Sequence, residues 1–554
     1  MTTTARPRES LLHGLPSVVD GYDLAAEGAR CASLPDVVVR GRSLNRGTAV
    51  VRIDGPMDTP RHEEARKRHR EFIVATTLSD DSPVLEMGWP LSGPFVRCAA
   101  GVYMDLYLAV AQKILDPAHP RIRAEMARLL ELDLLTAREI NTDDFLVAAE
   151  GVEGIHAPQD LAALAAGAAA SSFPGSGAWK SFLSNSGAEA VEAGLKAAWQ
   201  VKYKRFLEAH GWATLEAVAK DLGIPRIAEM DGDASRPEPL LADYPFFMAG
   251  CWKAFHGRTL GALHFTTSKK VQRAGFPQVR WIHRVPFNGS PRDLLDRIDP
   301  RPIGEILAAP GGVRAVVEAG RIPRDLLAGF IAEPFQGEGG YIPADPAWLR
   351  GTVEGVRANG GIFVADEVQC FGRTGTLFFS EQLGVVPDAI ALAKGMVVGM
   401  TLIRAEHARH FHGGWHSNTW GGGKIFDTQW AHAVLDTLLN HRDPVLGGLT
   451  YARNCAVKGR RLAAGLERLR ERHPALVTGF DQRGLMAGVS VRRRAEIIAT
   501  GWKRGLKLLG CGPSGEVSRL RILFLADTLA REVDEALRVL DEVLAEVGAA
   551  KPPK

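Results

Sequence analysis

The chain has 554 residues, 46% of them apolar and 24% charged, a composition typical of globular rather than disordered proteins. Its 67 lysines and arginines against 64 acidic residues give a net charge of +3, too small to attract nucleic acid, which favours a small-molecule substrate. We expect more than one domain, because single hydrophobic cores stop growing at about 250–300 residues.

The cysteine pattern and the chain's start indicate a reducing compartment. Six cysteines stand far apart without any C-x-x-C pair, which favours neither a disulfide framework nor a zinc site. The first residues lack the apolar core of a signal peptide, and LAALAAGAAA (161–170) is too short to span a bilayer. We therefore expect a cytoplasmic protein that does not enter the membrane.

Residues 1–87 are rich in arginine, aspartate and proline and show weak periodicity. They are predicted to form an N-terminal extension, to which the sequence assigns no chemistry.

A large domain is predicted over residues 151–435. Short apolar runs such as GFIAEP (329–334), GIFVAD (361–366) and AIALAKG (389–395) alternate there with amphipathic helices. This alternation predicts an α/β fold with a mostly parallel sheet. The turn-rich stretch 213–245 is interpreted as an insertion.

Residues 436–548 are predicted to form a smaller α+β domain. The segments RRLAAGLERLRERH and AREVDEALRVLDEVLAEV have the periodicity of amphipathic helices, expected to be exposed. LMAGVSV and RLRILFL are expected to be strands.

The first candidate site motif is FLSNSGAEAVEAGLKAAW (182–199), in which a strand leads through Ser186, Gly187 and Ala188 into a helix. Free backbone N–H groups and the helix dipole make such a start suitable for a phosphate, and small side chains let the anion approach. Taken alone, the motif is more often an ordinary helix cap.

The second motif places Asp366 at the end of the apolar strand GIFVAD. A buried carboxylate needs a cationic partner or hydrogen-bond donors. The pyridinium nitrogen of pyridoxal phosphate would be such a partner, because a carboxylate keeps it protonated and makes the ring an electron sink. The alternative is a capping aspartate at a strand end.

The third motif places Lys394 directly after the apolar strand DAIALA. Desolvation lowers the pKa of an ammonium group and yields the neutral amine that Schiff-base enzymes require. The alternative is a lysine at a sheet edge whose charged end reaches solvent.

Seven ordered motifs resemble those of the class III aminotransferases, a family of fold type I pyridoxal-phosphate enzymes. The motifs are SNSGAEAVEAGLKAA (184–198), FHGRTLGAL (255–263), AEPFQGEGGYIP (332–343), ADEVQCFGRTG (365–375), PDAIALAKG (387–395), NTWGGG (418–423) and DQRGLMAGVSV (481–491). The resemblance covers residues 88–548. It implies a large cofactor-binding domain and a smaller α+β domain, with residues 88–150 supplying the N-terminal part of the small domain and the substrate entrance.

The resemblance also implies roles for individual residues. Lys394 would hold pyridoxal 5'-phosphate as a Schiff base, Asp366 would pair with its ring nitrogen, and Gln369 would lie near its phenolic oxygen. The remaining cofactor-binding residues would be Phe255 stacked on the ring, the adjacent His256, the phosphate-binding Ser186, Gly187 and Ala188, and Thr419. Thr419 would come from the neighbouring subunit, which implies a homodimer with shared active sites.

Three charged residues match the family's substrate positions. Arg521 would bind the α-carboxylate of 2-oxoglutarate or glutamate, and Glu338 would mask it when another substrate enters. Arg258 would hold the distal carboxylate of the amino donor, as in the lysine epsilon-aminotransferases, the subgroup that the chain most resembles. A surface ion pair is the alternative for Arg521, because Arg519 stands two residues away.

Two further features of the sequence bear on the site. The stretch LAVAQKILDP (108–117) departs from the family pattern and puts Gln112 and Lys113 at the substrate entrance. The histidines of RHFHGGWH, at 410, 412 and 416, suggest a metal site, but no carboxylate or cysteine is spaced to complete it, and we expect no metal.

The expected function is ping-pong transamination from an ω-amino donor, with a lysine-like compound as the leading candidate, to 2-oxoglutarate. An aminomutase or a decarboxylase on the same scaffold is the alternative. A non-catalytic homologue is disfavoured because Asp366 and Lys394 are both present.

Overall fold

The computed structural model describes residues 10–73, 84–86, 89–98, 100–131, 155–227, 240–411 and 424–550. Within these residues, no helix is long and apolar enough to cross a membrane.

The N-terminal part of the chain forms short strands and helices. They are β1 (Val18–Val19), β2 (Tyr22–Asp23), α1 (Leu24–Cys31), β3 (Val37–Val39), β4 (Arg42–Leu44), β5 (Arg52–Ile53), α2 (Pro60–Phe72), β6 (Phe95–Cys98), β7 (Gly101–Asp105), the single turn α3 (Leu108–Ala111) and α4 (Pro120–Glu131).

The middle of the chain alternates helices and strands. They are α5 (Pro158–Ser172), β8 (Trp179–Ser184), α6 (Gly187–Asp221), β9 (Phe247–Cys251), α7 (Leu260–Leu263), β10 (Ile282–Val285), α8 (Arg292–Leu295), β11 (Ile298–Asp299), α9 (Ile303–Ala308), α10 (Gly312–Glu318), β12 (Ile322–Pro323), β13 (Leu327–Ala332), β14 (Phe335–Gln336), β15 (Ile342–Pro343), α11 (Pro346–Ala358), β16 (Ile362–Asp366), α12 (Phe379–Leu383), β17 (Ala389–Leu392), β18 (Gly399–Arg404), α13 (Ala405–Ala408) and α14 (Ile425–Asn440). Three 3-10 turns lie at Lys270–Gln272, Arg324–Leu326 and Lys394–Met396.

The C-terminal part mixes long helices with short strands. They are α15 (Tyr451–Arg472), β19 (Val477–Arg483), β20 (Met486–Val491), α16 (Arg494–Lys503), β21 (Leu506–Lys507), β22 (Leu509–Cys511), β23 (Ser518–Leu523) and α17 (Ala530–Ala549).

Strands between residues 179 and 404 form a seven-stranded sheet with the order β10-β9-β13-β16-β17-β18-β8. Its first five strands run parallel, and only β18 is antiparallel to its neighbours β17 and β8. Strands β13, β16 and β17 are buried along their whole length, which explains their uninterrupted apolar sequences. The expected α/β fold with a mostly parallel sheet is confirmed.

Helix α6 approaches the sheet closely at Gly194. A Cβ atom at this position would lie 2.8 Å from Cγ1 of Val364 on β16, so any larger residue would force one of the two elements or the Val364 side chain to move. Beyond a kink at Gly211 the helix continues to Asp221 and covers the beginning of the stretch interpreted as an insertion, of which residues 228–239 lie outside the described part.

The N-terminal residues pack against the small α+β unit. Strand β7 pairs with β5 and β6 and, in parallel, with β21 from the C-terminal part. The buried Arg46 guanidinium donates to Glu532 at 2.6 Å and to Asp527 at 2.7 Å. Glu532 on α17 is therefore fully buried, and the expectation that this helix is exposed was wrong because the N-terminal segment covers it. The domain limits stay a prediction.

Candidate active site

Neighbouring parallel strands carry polar side chains to one edge of the large sheet. Glu333 follows β13, Asp366 is the last residue of β16, and Lys394 lies two residues beyond β17. Because the carboxyl ends of parallel strands meet at the same edge, these three side chains converge there.

A cavity of about 610 Å³ lies at this edge. It brings together most of the residues that the sequence proposed for a cofactor site. Its walls include Gln112, Asn185, Ser186, Gly187, Ala188, Phe255, His256, Arg258, Glu333, Asp366, Gln369 and Lys394. Thr419 lies outside the described residues, so its predicted position stays untested.

Asp366 is held by two hydrogen bonds at the floor of the cavity. Its Oδ2 lies 2.8 Å from Nδ1 of His256, and its Oδ1 accepts from the Val368 backbone N–H at 3.1 Å. The carboxyl group is only 5% exposed. Nε2 of the buried His256 has no hydrogen-bond partner in the described part of the chain. This buried carboxylate is suited to a cationic partner inside the cavity.

Lys394 is partly buried at the cavity wall, in a left-handed backbone conformation with φ 42°. Burial lowers its pKa to about 8, although the nearby Glu338 carboxylate acts in the opposite direction. A substantial fraction of this amine is therefore neutral near neutral pH and able to attack a carbonyl carbon.

The N-terminus of α6 forms another wall. Ser186 caps the helix, its hydroxyl accepting from the Glu189 backbone N–H at 3.3 Å. A Cβ atom on the next residue, Gly187, would lie 3.0 Å from Cγ1 of Val368, so the close packing here favours a small residue. The first N–H groups of this long helix face a cavity with small side chains, which suits an anion.

Phe255 and Arg258 line the cavity from the loop after β9. The Phe255 backbone N–H donates to Glu333 at 3.0 Å, and its ring is partly buried. The exposed Arg258 guanidinium lies 5.8 Å from the centroid of that ring. Arg258 therefore presents a positive charge near the aromatic wall.

Arg521 on β23 forms a buried ion pair with Glu338 from the loop between β14 and β15. Nη2 of Arg521 lies 2.8 Å from Oε1 of Glu338. Burial by itself would lower the pKa of this guanidinium, but Tyr341 and Glu338 raise it above its ordinary value. Because Arg521 is only 2% exposed, the alternative of a surface ion pair is wrong. Arg519 bonds elsewhere, to Asp481 at 2.6 Å.

Glu333 is a site residue that the sequence reasoning missed. Its carboxylate accepts from the backbone N–H groups of Phe255 and Gly337, at 3.0 and 2.9 Å. Burial raises its pKa to about 7. The signal that singled out Asp366, a carboxylate directly after a buried strand, was also present here. Gln369 lies nearby and accepts from the Tyr341 hydroxyl at 3.3 Å.

The substrate-entrance stretch contains an unusual left-handed turn. Leu108, Ala109, Val110 and Ala111 have φ values of 49°, 52°, 58° and 68°. Such conformations cost non-glycine residues about 1–2 kcal/mol each, so surrounding contacts must hold them. No glycine in LAVA signalled this turn, and sequence reasoning missed it.

Of the two polar residues at the entrance, only one lines the cavity. Gln112 is exposed on its wall. Nζ of Lys113 lies 3.5 Å from the Asp105 carboxylate. Lys113 is therefore occupied by an ion pair.

His410 is buried, but His412 and His416 lie outside the described residues, so the histidine cluster stays untested as a metal site. A second group, formed by Asp388, Glu406 and His407, has the spacing of metal ligands. However, Arg404 makes ion pairs with both carboxylates of this group. These ion pairs explain why the three side chains lie together, and no metal ion is needed to hold them.

The cavity suits pyridoxal phosphate in three respects. The Asp366 carboxylate fits a pyridinium nitrogen, the start of α6 fits a phosphate, and the depressed pKa of Lys394 fits an amine that bonds to an aldehyde.

Comparisons with known proteins identify relatives. Acetylornithine aminotransferase of Gloeobacter violaceus is 30% identical over 482 residues, which cover 86% of this chain and 96% of that protein. L-lysine-epsilon aminotransferase of Amycolatopsis lactamdurans is 30% identical over 306 residues, covering 53% of this chain and 64% of that protein.

Solved structures have the same fold. Lysine aminotransferase from M. tuberculosis has a TM-score of 0.63 at 24% identity, covering 88% of this chain and 100% of that one. Ornithine aminotransferase from Toxoplasma gondii has a TM-score of 0.62 at 19% identity, covering 89% and 97%. A family model described as aminotransferase class-III matches residues 100–544. The chain therefore belongs to the class III aminotransferases, which are pyridoxal-phosphate-dependent enzymes.

Proposed function

We propose that the protein transfers an amino group from an ω-amino donor, with a lysine-like compound as the leading candidate, to 2-oxoglutarate by a ping-pong mechanism. The observation that carries this proposal is the buried Arg521–Glu338 pair, whose charges act on the Lys394 amine at the cavity wall. A carboxylate that pairs with a guanidinium and can turn away from it lets one site accept two differently shaped substrates in turn.

The residues around Lys394 have separate roles in this proposal. Nζ of Lys394 would hold the cofactor, and once the donor's amine has displaced it, the freed lysine amine would take the proton from the reacting carbon of the donor. Asp366 keeps the proton on the ring nitrogen, and His256 orients its carboxylate through the 2.8 Å contact. When bound, pyridoxal phosphate supplies the electron sink for this proton transfer.

Arg521 is proposed to bind the α-carboxylate of 2-oxoglutarate after Glu338 turns away. Its Nε and Nη1 are buried and have no hydrogen-bond partner among the described residues. A guanidinium with spare donors is suited to bidentate binding of a carboxylate. While Glu338 is paired with Arg521, its negative charge neutralises the guanidinium that an amino donor encounters.

Arg258 is proposed to bind the distal carboxylate of the donor. It lines the same cavity as Lys394 and is exposed, so a ligand can reach it. The relatives named for acetylornithine and for the ε-amino group of lysine support an ω-amino donor. Both compounds carry a primary amine at the far end of an unbranched chain from a carboxylate.

A homodimer with shared active sites belongs to the same proposal. Three large apolar side chains in the segment that follows Arg258 in the chain are exposed, namely Leu260, Val271 and Phe276 at 59%, 78% and 52%. Exposed apolar groups clustered along one segment are typical of a protein interface. In this proposal a second copy packs on this segment and its Thr419 completes the site, as the resemblance to the family implies.

A donor screen with 2-oxoglutarate tests the proposal. Purified holoenzyme is mixed with ω-amino acids and diamines, and glutamate is measured by mass spectrometry. Glutamate formed in proportion to consumed donor supports transamination, and Lys394→Ala protein is the control. Release of CO2, or isomerisation of the donor without glutamate, would instead indicate the decarboxylase or the aminomutase.

A further inference from the structure

Tyr341 contacts two groups of the active site. Its hydroxyl donates to Oε1 of Gln369 at 3.3 Å, and the Arg521 guanidinium lies 5.3 Å from the centroid of its ring. The side chain is fully buried, and the Phe335 ring packs against it in a T-shaped arrangement with a centroid distance of 6.2 Å. These contacts hold the hydroxyl of Tyr341 next to the carboxamide of Gln369.

The backbone of Tyr341 adopts a left-handed conformation with φ 56°, which is unfavourable for a residue other than glycine. Hydrogen bonds on both sides maintain it. The Arg519 guanidinium donates to the Gly340 carbonyl at 2.7 Å and to the Tyr341 carbonyl at 3.2 Å. The Tyr341 N–H donates to the Gly337 carbonyl at 3.1 Å. Strained backbone that is held in this way is found most often at functional sites, which indicates a role for the side chain that it places.

The carboxamide of Gln369 can present either its oxygen or its nitrogen to a neighbour, because the two exchange places when the group turns over. Burial raises the pKa of the Tyr341 hydroxyl, so this group stays protonated and donates its hydrogen. A donor at this position favours the orientation in which Oε1 of Gln369 faces Tyr341. Gln369 also lines the cofactor cavity, so Nε2 is then left to donate there.

We propose that Tyr341 is a positioning residue that orients the carboxamide of Gln369 so that Nε2 donates to the phenolic oxygen of bound pyridoxal phosphate. A hydrogen bond to an ionised oxygen is stronger than one between neutral groups, so the orientation of the amide affects the charge on the cofactor. This inference rests on the proposed function and on the position near the phenolic oxygen that the resemblance to the family gives Gln369.

The visible absorbance of the bound cofactor reports this hydrogen bond, because it changes when the Schiff-base nitrogen takes up a proton. While that nitrogen is unprotonated, no neighbouring positive charge compensates the phenolic oxygen, and a hydrogen-bond donor stabilises this form most. Losing the donor favours the protonated form and moves the midpoint of a pH titration to higher pH. Tyr341→Phe and Gln369→Leu should each raise the midpoint by about 0.5–1 pH unit, the effect of one hydrogen bond.

A variant that carries both substitutions shows whether the two residues act together. If Tyr341 acts through Gln369, this variant should have the midpoint of Gln369→Leu alone. Tyr451→Phe is the matched control, because Tyr451 is equally buried and its hydroxyl lies 2.9 Å from Nε2 of His119, outside the cavity wall. It should leave the midpoint unchanged. Additive shifts, or an unchanged midpoint in either single variant, overturn the inference.

The charged and titratable side chains around the cofactor are the same in all these variants and in the wild type. They are His256, Arg258, Glu333, Asp366 and Lys394 in the cavity wall, and Glu338 and Arg521, whose charges act on Lys394. A change in the midpoint therefore reports the altered hydrogen bond and not the loss of a titrating group.

Binding of glutarate separates an orienting role from a general loss of packing. Glutarate has the two carboxylates of 2-oxoglutarate but no reactive carbonyl, so calorimetry gives its Kd on the holoenzyme without turnover. Tyr341→Phe keeps the ring beside Arg521 and should leave this Kd within about twofold of the wild-type value. A Kd that rises together with the midpoint overturns the orienting role. A shifted midpoint with an unchanged Kd, but no glutamate formed from any donor, would overturn transamination and leave the role of Tyr341 standing.

Discussion

Oε1 of Glu338 lies 2.8 Å from Nη2 of Arg521, while Nε and Nη1 of the same buried guanidinium have no partner among the described residues. The pair connects the loop between β14 and β15 to β23 in the C-terminal part of the chain. A carboxylate ligand that displaced Glu338 would satisfy donors that the protein leaves free.

This relationship predicts that two arginines serve different half-reactions. Arg521→Ala should raise the KM for 2-oxoglutarate about 100-fold, which corresponds to about 3 kcal/mol of charge-assisted hydrogen bonding. Arg258→Ala should weaken the donor half-reaction and spare the other. Stopped-flow kinetics of each isolated half-reaction measure both effects. If either variant slowed the two half-reactions equally, the separate roles of the two arginines would be refuted.

Lys394→Ala should abolish turnover and leave the protein folded, because it removes the amine and the proton carrier together. Borohydride reduction followed by peptide mass spectrometry should find the cofactor on Lys394 in the wild-type protein and at no residue in the variant. Circular dichroism checks the fold. A reduced adduct at another lysine would show that the assignment is wrong.

Asp366→Asn should retain the cofactor but lose activity by orders of magnitude, on the scale of about 4 kcal/mol in the barrier. A neutral amide cannot hold the proton on the ring nitrogen. Cofactor content is measured by absorbance and turnover by glutamate formation. Turnover near that of the wild type would mean that Asp366 is only structural.

The Lys394 pKa of about 8 predicts how cofactor capture depends on pH. The amine is protonated below this pKa and neutral above it, so apoenzyme should bond pyridoxal phosphate faster as pH rises through about 8. Glu338 raises this pKa, so Glu338→Gln should move the midpoint to lower pH. Glu471→Gln, at an exposed position, is the charge-matched control. A midpoint unchanged in Glu338→Gln contradicts the electrostatic coupling.

Arg46→Met should destabilise the protein by about 3–5 kcal/mol, because it leaves the buried Glu532 and Asp527 carboxylates without their cation. Urea unfolding followed by circular dichroism measures the change in unfolding free energy. Arg40→Met, at an exposed position of the same segment, should change it little. A small effect of Arg46→Met would mean that the N-terminal segment contributes little to the small domain.

Sequence patterns predict the strand ends of this site well and its long-range contacts poorly. Asp366 and Lys394 stand out because polar residues rarely follow uninterrupted apolar strands, and the structure brings both to the cavity. The resemblance to the family paired Glu338 with Arg521. In contrast, Leu108–Ala111 contains no glycine to indicate positive φ, and nothing local in the sequence relates Arg46 to Glu532.

The contact between Arg46 and Glu532 also constrains the order of events during synthesis. The two residues are 486 positions apart, so the N-terminal segment leaves the ribosome long before helix α17 exists. Until then Arg46 can pair with Asp116 but lacks Asp527 and Glu532, and Glu27 lacks its partner until Lys458 has been made. The large sheet can fold in the interval, but the N-terminal segment can complete its buried contacts only after α17 has been made.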